Sequence, residues 1–440
     1  MPEYTTQRGL AVWAESPEAV DAIEAFETNL LGITPEVEAI FAHAKQFQET
    51  PLIQAYAAAA MLYSQAASGV AQAAEFLLAA RRSLYGASTR EVVFVEAIEH
   101  FQRGQYHAAL EKLERVTVDH PRDLVSAKIS EFLYYTSGQH FNGERFLWHM
   151  MRLREANGDH PGFLSMLSFA FELTARYDDA RQAAEKSLEQ QPGQPWSHHT
   201  LAHILIRTGQ VEEGAREMER FAPYWKSCAR GIHAHNAWHQ SLFYLENADW
   251  AKTDVILRGD IWGITPDYVG EQIDAIALLW RMDMAGQPAD DVWADVVAKS
   301  GEHAGECLIP FLDGQFIYGL ARNGHDDAVE AAIARARERA AQSDHEGREI
   351  WCPVGADFVE ACAASGRGDH QRVVELIEPI VDRLPMVGGS DAQDDLFRLA
   401  YFNALAGAGR KADARRYYDL IAPAKSTRTA LDELMLAKCN

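Results

Sequence analysis

Six histidines fall in two short strings, HHTLAH (His198, His199, His203) and HAHNAWH (His233, His235, His239). If both strings are helical, His199/His203 and His235/His239 are each one turn apart and share a helix face. Two such pairs suit three kinds of chemistry. Neutral ring nitrogens on consecutive turns ligate a divalent metal, with a carboxylate completing the shell. Without a metal, an imidazole titrates near pH 6.5 and serves as a general acid or base, oriented by an Asp or Glu. The third option involves no reaction, with the rings packing and hydrogen-bonding between neighbouring helices or lining a cavity for a small polar molecule. HHTLAH lacks the glutamate that follows the first histidine in HExxH metalloproteases, so that mechanism is not supported. The catalytic or metal-ligating set expected here is His199, His203, His235 and His239.

The elements that hold these residues are helical throughout. Runs of alternating β-branched residues are almost absent, whereas helix-start signals recur. Ser16-Pro17 reads as a cap followed by a first helical residue, and Ser88 with Glu91 as a capping box. A further pattern is a recurring break in which a helix ends at a small residue, a polar turn follows and a second helix begins. These breaks fall at Gly104, Gly138, Ala175, Gly209, Ala248, Gly286, Gly324, Gly368 and Gly409, spaced 34 to 44 residues apart. A small residue is expected because a chain that reverses tightly after a helix adopts positive φ. A period near 34 is that of tetratricopeptide repeats, in which each helix pair buries its apolar face only against its neighbours.

With Gly209 as the turn residue, Ala202 and Gly214 take the two positions where helices touch closely. Ala97/Ala109 and Ser168/Ala180 are their counterparts in two other copies. The same register puts Trp196, His199, His203 and Ile206 on the inner face of one helix, and His235, Trp238 and His239 on the inner face of the next. Asn236 sits beside them, and Glu172 points inward from the preceding repeat. The expected fold is an all-α, right-handed α-solenoid of about nine or ten degenerate tetratricopeptide-like helix pairs. Residues 1–87 form an atypical helical cap, 88–425 the repeats and 426–440 a C-terminal helix or tail. Ala341–Asp357 reads as a loop.

Several strings together resemble the tetratricopeptide repeat protein 38 family. They are TREVVFVEAIEHFQRGQYHAALEKLERVTVDHPRDL (Thr89–Leu124), WSHHTLAHILIRTGQVEEG (Trp196–Gly214), HNAWHQSLFYLENADW (His235–Trp250), DAIALLWRMDMAG (Asp274–Gly286), FLDGQFIYGLARNGH (Phe311–His325) and GGSDAQDDLFRLAYFNALAGAGR (Gly388–Arg410). The resemblance spans roughly residues 85 to 420 and implies an all-helical repeat fold in a soluble protein, without a settled activity. One departure stands out. Where the family has a histidine after Gly-Gly-Ser and an arginine three residues later, this chain has Asp391 and Asp394.

Composition narrows the remaining options. The net charge is −23 and the pI about 5.1, a surface that repels phosphate backbones and disfavours nucleic acid as a partner. No apolar run approaches the roughly 18 residues of a membrane span, and no signal peptide is evident. The five cysteines are scattered without a CxxC pair, which fits reduced thiols and a cytoplasmic setting. Cys228 lies near the histidines, but nothing in the sequence depresses its pKa. Secondary site candidates are Asp274, expected to pair internally with Arg281, and Asp313, which with Gly314 is unusual inside an apolar helix. Gly388-Gly389-Ser390 reads as a helix cap. The expected occupant is a small molecule or short peptide in a groove lined by His, Trp and Phe, with Trp196, Glu172, Asn236, Trp238, Asp274, Asp313 and Asp391 as ligand contacts. No cofactor is required by the sequence, and a divalent metal is compatible with it.

Overall fold

The computed structural model describes all residues except 343–349 and 423–427, and the side chains of residues 139–141 and of Asp391 also lie outside the described set. In chain order the helices are α1 (Pro17–Gly32), α2 (Ala39–Gln46), α3 (Pro51–Leu62), α4 (Ala67–Arg82), α5 (Thr89–Gln102), α6 (Tyr106–Asp119), α7 (Leu124–Thr136), α8 (Gln139–Asn157), α9 (Pro161–Glu172), α10 (Tyr177–Gln190), α11 (Pro195–Arg207), α12 (Val211–Trp225), α13 (Arg230–Glu246), α14 (Trp250–Ile256), α15 (Val269–Met284), α16 (Asp290–Ser300), α17 (Pro310–Arg322) and α18 (Asp326–Ala341). They continue as α19 (Ala356–Gly366), α20 (His370–Ile377), α21 (Asp391–Gly407), α22 (Lys411–Ile421) and α23 (Ala430–Ala437). Among the described residues the chain is all-α apart from one antiparallel hairpin, β1 (Glu3–Thr5) with β2 (Ala11–Trp13).

That hairpin corrects the purely helical expectation for residues 1–87. Strands this short carry too little alternation to read, and tertiary bonds hold them. Glu91 Oε1 accepts from the Trp13 amide (2.9 Å) and Arg90 Nη2 donates to the Ala11 carbonyl (2.9 Å). The same Glu91 closes the expected capping box with Ser88. Ser16 caps α1, and at the start of α21 the Gln393 side chain accepts from the Ser390 amide (3.0 Å). The loop expected over Ala341–Asp357 is corrected where it is described. Trp351–Gly355 is a π-helical turn running into α19, and buried Trp351 and Val354 anchor it. Residues 343–349 of that stretch lie outside the described set.

All nine breaks read from the sequence have positive φ, from 52° at Ala248 to 104° at Gly138. Ala175 and Ala248 hold this conformation without glycine's freedom, at a cost of about 1 kcal/mol each. Their amides still close the turn, Ala175 onto Glu172 and Ala248 onto Leu245. The small residues expected where helices touch closely are enclosed. Ala97, Ala109, Ser168, Ala180 and Ala202 are fully buried, and a Cβ on Gly214 would lie 2.0 Å from Phe243.

The chain packs as two compact units. The first comprises residues 1–136, 142–200 and 227–232, and the second 137–141, 201–226 and 233–440. In the first, α3 packs on α4, α5 on α6 and α9 on α10; in the second, α15 packs on α16, α17 on α19 and α21 on α22. Among the described residues no helix is long and apolar enough to cross a membrane.

Candidate functional site: an imidazole cluster around Trp238

Within the second unit three helices bring a polar cluster together. α13 supplies His235, Trp238 and His239, α11 supplies His203, and α15 supplies Asp274 and Arg281. The His203 and His239 rings lie 4.7 Å apart between centroids, and the His235 and His239 rings 4.8 Å apart in an edge-on arrangement. His235 stacks on the Trp238 indole (5.5 Å, 11°), and His239 meets the same indole edge-on at 4.8 Å. Helix spacing explains the α13 contacts, because residues three and four apart stack along one face. The contact between His203 and His239 requires two helices, so it is a tertiary result.

Asp274 anchors the cluster. His235 Nδ1 donates to both of its carboxylate oxygens, at 3.0 and 3.2 Å. This overturns the expected internal pair between Asp274 and Arg281. Two full turns of α15 separate those residues, while α13 lies nearer. Arg281 instead donates to the main-chain carbonyls of Ala277 (3.1 Å) and Ala392 (2.9 Å) and lies over the Trp238 ring at 5.3 Å. A carboxylate on Nδ1 fixes the tautomer and leaves Nε2 as the basic nitrogen of His235.

Burial grades the imidazoles. His203, Trp238 and His239 are fully buried, whereas the His235 side chain keeps 18% of its exposure. Burial, followed by the neighbouring His203, His235 and Arg281, holds His239 well below the usual imidazole range, so it is neutral at physiological pH. Burial also pushes the Arg281 guanidinium down to about 10, opposed by the charges of Asp395 and Glu246. Arg281 therefore remains a cation beside a neutral imidazole.

The first unit holds the other expected residues. Trp196 stacks on His199 (4.3 Å, 18°), and Phe169 packs edge-on against the Trp196 indole at 5.2 Å. The Trp196 Nε1–H donates to Glu131 (2.7 Å), and the Lys128 ammonium sits 4.2 Å over the same indole while pairing with Glu131. Burial drives Glu131 up against the pull of Lys128. Sequence reasoning misses both Lys128 and Glu131; the available signal is a Lys and a Glu three apart among otherwise apolar or small positions of α7. Glu172 is buried on α9. His199 precedes His203 by one turn of the continuous helix α11.

The remaining candidates separate by partner. His198 turns to the Pro192 carbonyl (3.0 Å) and His233 to Asp260 (3.0 Å), so both pin local structure. Asn236 is fully buried beside His235. Asp313 lies within α17, in its first turn, and accepts from the amides of Gly305 (2.7 Å) and Cys307 (3.3 Å). Its burial raises it to about 7. Gly314 is small because Phe358 would lie 2.4 Å from its Cβ. Asp391 opens α21 but its side chain lies outside the described residues, and Asp394 is buried. Burial pushes the Cys228 thiol up to about 11, which leaves it a poor nucleophile. No family model matches the chain.

Proposed function

We propose that this chain is a tetratricopeptide-like scaffold, its helix pairs continuing as a right-handed solenoid, that binds a small polar molecule at His235. The strings resembling the tetratricopeptide repeat protein 38 family and the repeated positive-φ turns support the scaffold. The observation that carries the binding reading is the pairing of His235 with buried Asp274. It places an oriented imidazole, partly open to solvent, on a floor of fully buried rings. A packing role alone does not call for a buried carboxylate, because burying the ion costs several kcal/mol. Polar groups converging around a single indole suit a small molecule better than an extended peptide.

A second reading is favoured by the same pair. A carboxylate-held imidazole is the arrangement of a general base, so the bound molecule is also a candidate substrate. His203 and His239 would then act by shape and hydrogen bonding, because His239 is held neutral. A divalent metal is the alternative occupant of the imidazole cluster.

The test is a thermal-shift screen of the purified chain against polar metabolites, repeated with His235→Gln and Asp274→Asn. Compounds that stabilise the wild type should lose most of their effect in His235→Gln. Removing one charge-assisted hydrogen bond at Asp274 should weaken binding by about 1.5–3 kcal/mol. Compounds that stabilise all three proteins equally would exclude this site. Elemental analysis of wild type and His239→Ala decides the metal alternative, which requires a stoichiometric ion lost in the variant.

A further inference from the structure

Among the described residues, Arg281 is buried without a counter-ion. Its residue is 8% exposed, and the hydrogen bonds of its guanidinium go to two main-chain carbonyls. No carboxylate lies within ion-pair distance of it among the described residues. The acids whose charge it feels are engaged elsewhere: Asp395 pairs with Arg207 (3.0 Å) and Glu246 accepts from Thr429 (2.7 Å). Asp274, the nearby acid on the same helix, is bound to His235. Carbonyl dipoles and the Trp238 face stabilise a guanidinium only in part, and an uncompensated buried charge is among the costliest features of a folded protein.

A second donor beside it is also unsatisfied. The Trp238 indole is fully buried and its Nε1–H has no acceptor among the described residues. Buried indole N–H groups are normally paired, and a missing partner requires an explanation. A buried cation and a buried orphan N–H thus meet at one side chain, the indole that also carries His235.

From this juxtaposition we infer that the molecule held at His235 carries an oxyanion, a carboxylate or a phosphate group, which Arg281 binds beside the edge of Trp238. The inference rests on the small-molecule reading above and narrows it. A planar guanidinium with free N–H groups matches both anions. The indole nitrogen is itself buried, and the guanidinium is the charged partner for the oxyanion. The polar remainder of the molecule is then directed at His235. In the catalytic reading, anchoring the anion at Arg281 holds the ligand for proton transfer by His235 Nε2.

The experiment measures binding of inorganic phosphate and of acetate to the full chain, by calorimetry and by shift in thermal midpoint at constant ionic strength. It is repeated with Arg281→Met, Arg281→Lys and His235→Gln. At least one probe should bind the wild type and His235→Gln, weaken about tenfold or more in Arg281→Met, and be partly retained in Arg281→Lys. If phosphate and acetate both bind, the anchor is a general oxyanion site; if one binds, it identifies the ligand's group. No binding of either probe to the wild type would overturn the inference, as would equal affinity in wild type and Arg281→Met. If Arg281→Met does not fold, loss of the planar fork in Arg281→Lys, read as a severalfold weaker affinity, carries the test, and unchanged affinity there refutes it. Anion binding kept in His235→Gln, with no metabolite affected by that substitution, would sink the His235 reading and leave the anion site standing.

Discussion

His239 provides the sharpest test of the cluster, because its protonation state is determined by everything packed around it. In the folded chain burial and three neighbouring basic groups keep it neutral far below the usual range, whereas in the unfolded chain it takes up a proton near pH 6.5. Below that pH the unfolded state binds more protons, so this residue's contribution is intact above about 6.5 and is lost as pH falls toward the depressed folded value. The slope is about 1.4 kcal/mol per pH unit for one such group. His149 and His160, both lowered to about 4, add the same sign, while Asp313 and Glu27, both raised to about 7, add the opposite one. The wild-type profile therefore mixes several groups, and subtraction of a variant isolates His239. In His239→Gln the side chain no longer titrates while the other groups remain. The stability difference between the two proteins should change by about 1.4 kcal/mol for each pH unit between 6.5 and 5. In a unit of 150–250 residues, 1 kcal/mol corresponds to roughly 2–4 °C, so the thermal midpoints should converge or diverge by about 3–6 °C per pH unit. Differential scanning calorimetry at pH 7.5, 6.5, 5.75 and 5 reads this directly. Parallel midpoint curves for the two proteins would show that His239 is not enclosed by His203, His235 and Arg281 as described.

Asp313 tests the reverse sign. It is protonated in the folded chain up to about pH 7 but ionises near 3.9 when unfolded, so its contribution is full below about 4 and declines as pH rises to about 7. Asp313→Asn should remove that decline, narrowing the calorimetric difference from wild type with a slope of about 1.4 kcal/mol per pH unit. Ala248→Gly relieves a positive φ of 52° and should raise the thermal midpoint by an amount equivalent to about 0.5–1 kcal/mol; a lower midpoint would mean that the turn is not strained. Gly214→Ala pushes a methyl to within 2.0 Å of Phe243 and should cost about 1–3 kcal/mol in urea denaturation, while the control Gly104→Ala meets no neighbour and should show only its backbone strain.

The turn scaffold was legible because its causes are local. A helix that must stop and reverse needs positive φ, and small residues at regular spacing announce it, even where alanine stands for glycine at Ala175 and Ala248. Helix starts at Ser16, Ser88 and Ser390 were equally readable, because each bond spans three residues. The face shared by His235, Trp238 and His239 followed from helical period alone. Long-range pairing decided the rest. Asp274 could have met Arg281 two turns away on its own helix, but α13 brought His235 to its carboxylate across 39 positions of sequence. The hairpin at the N-terminus, the seating of Trp196 against Lys128 and Glu131 and the carbonyl-bound guanidinium of Arg281 also depend on which elements are packed together. Periodicity reports which side of a helix is buried. Which partner a buried charge finds depends on the angle and offset of the neighbouring helix, and those arise only from the summed packing of the whole chain.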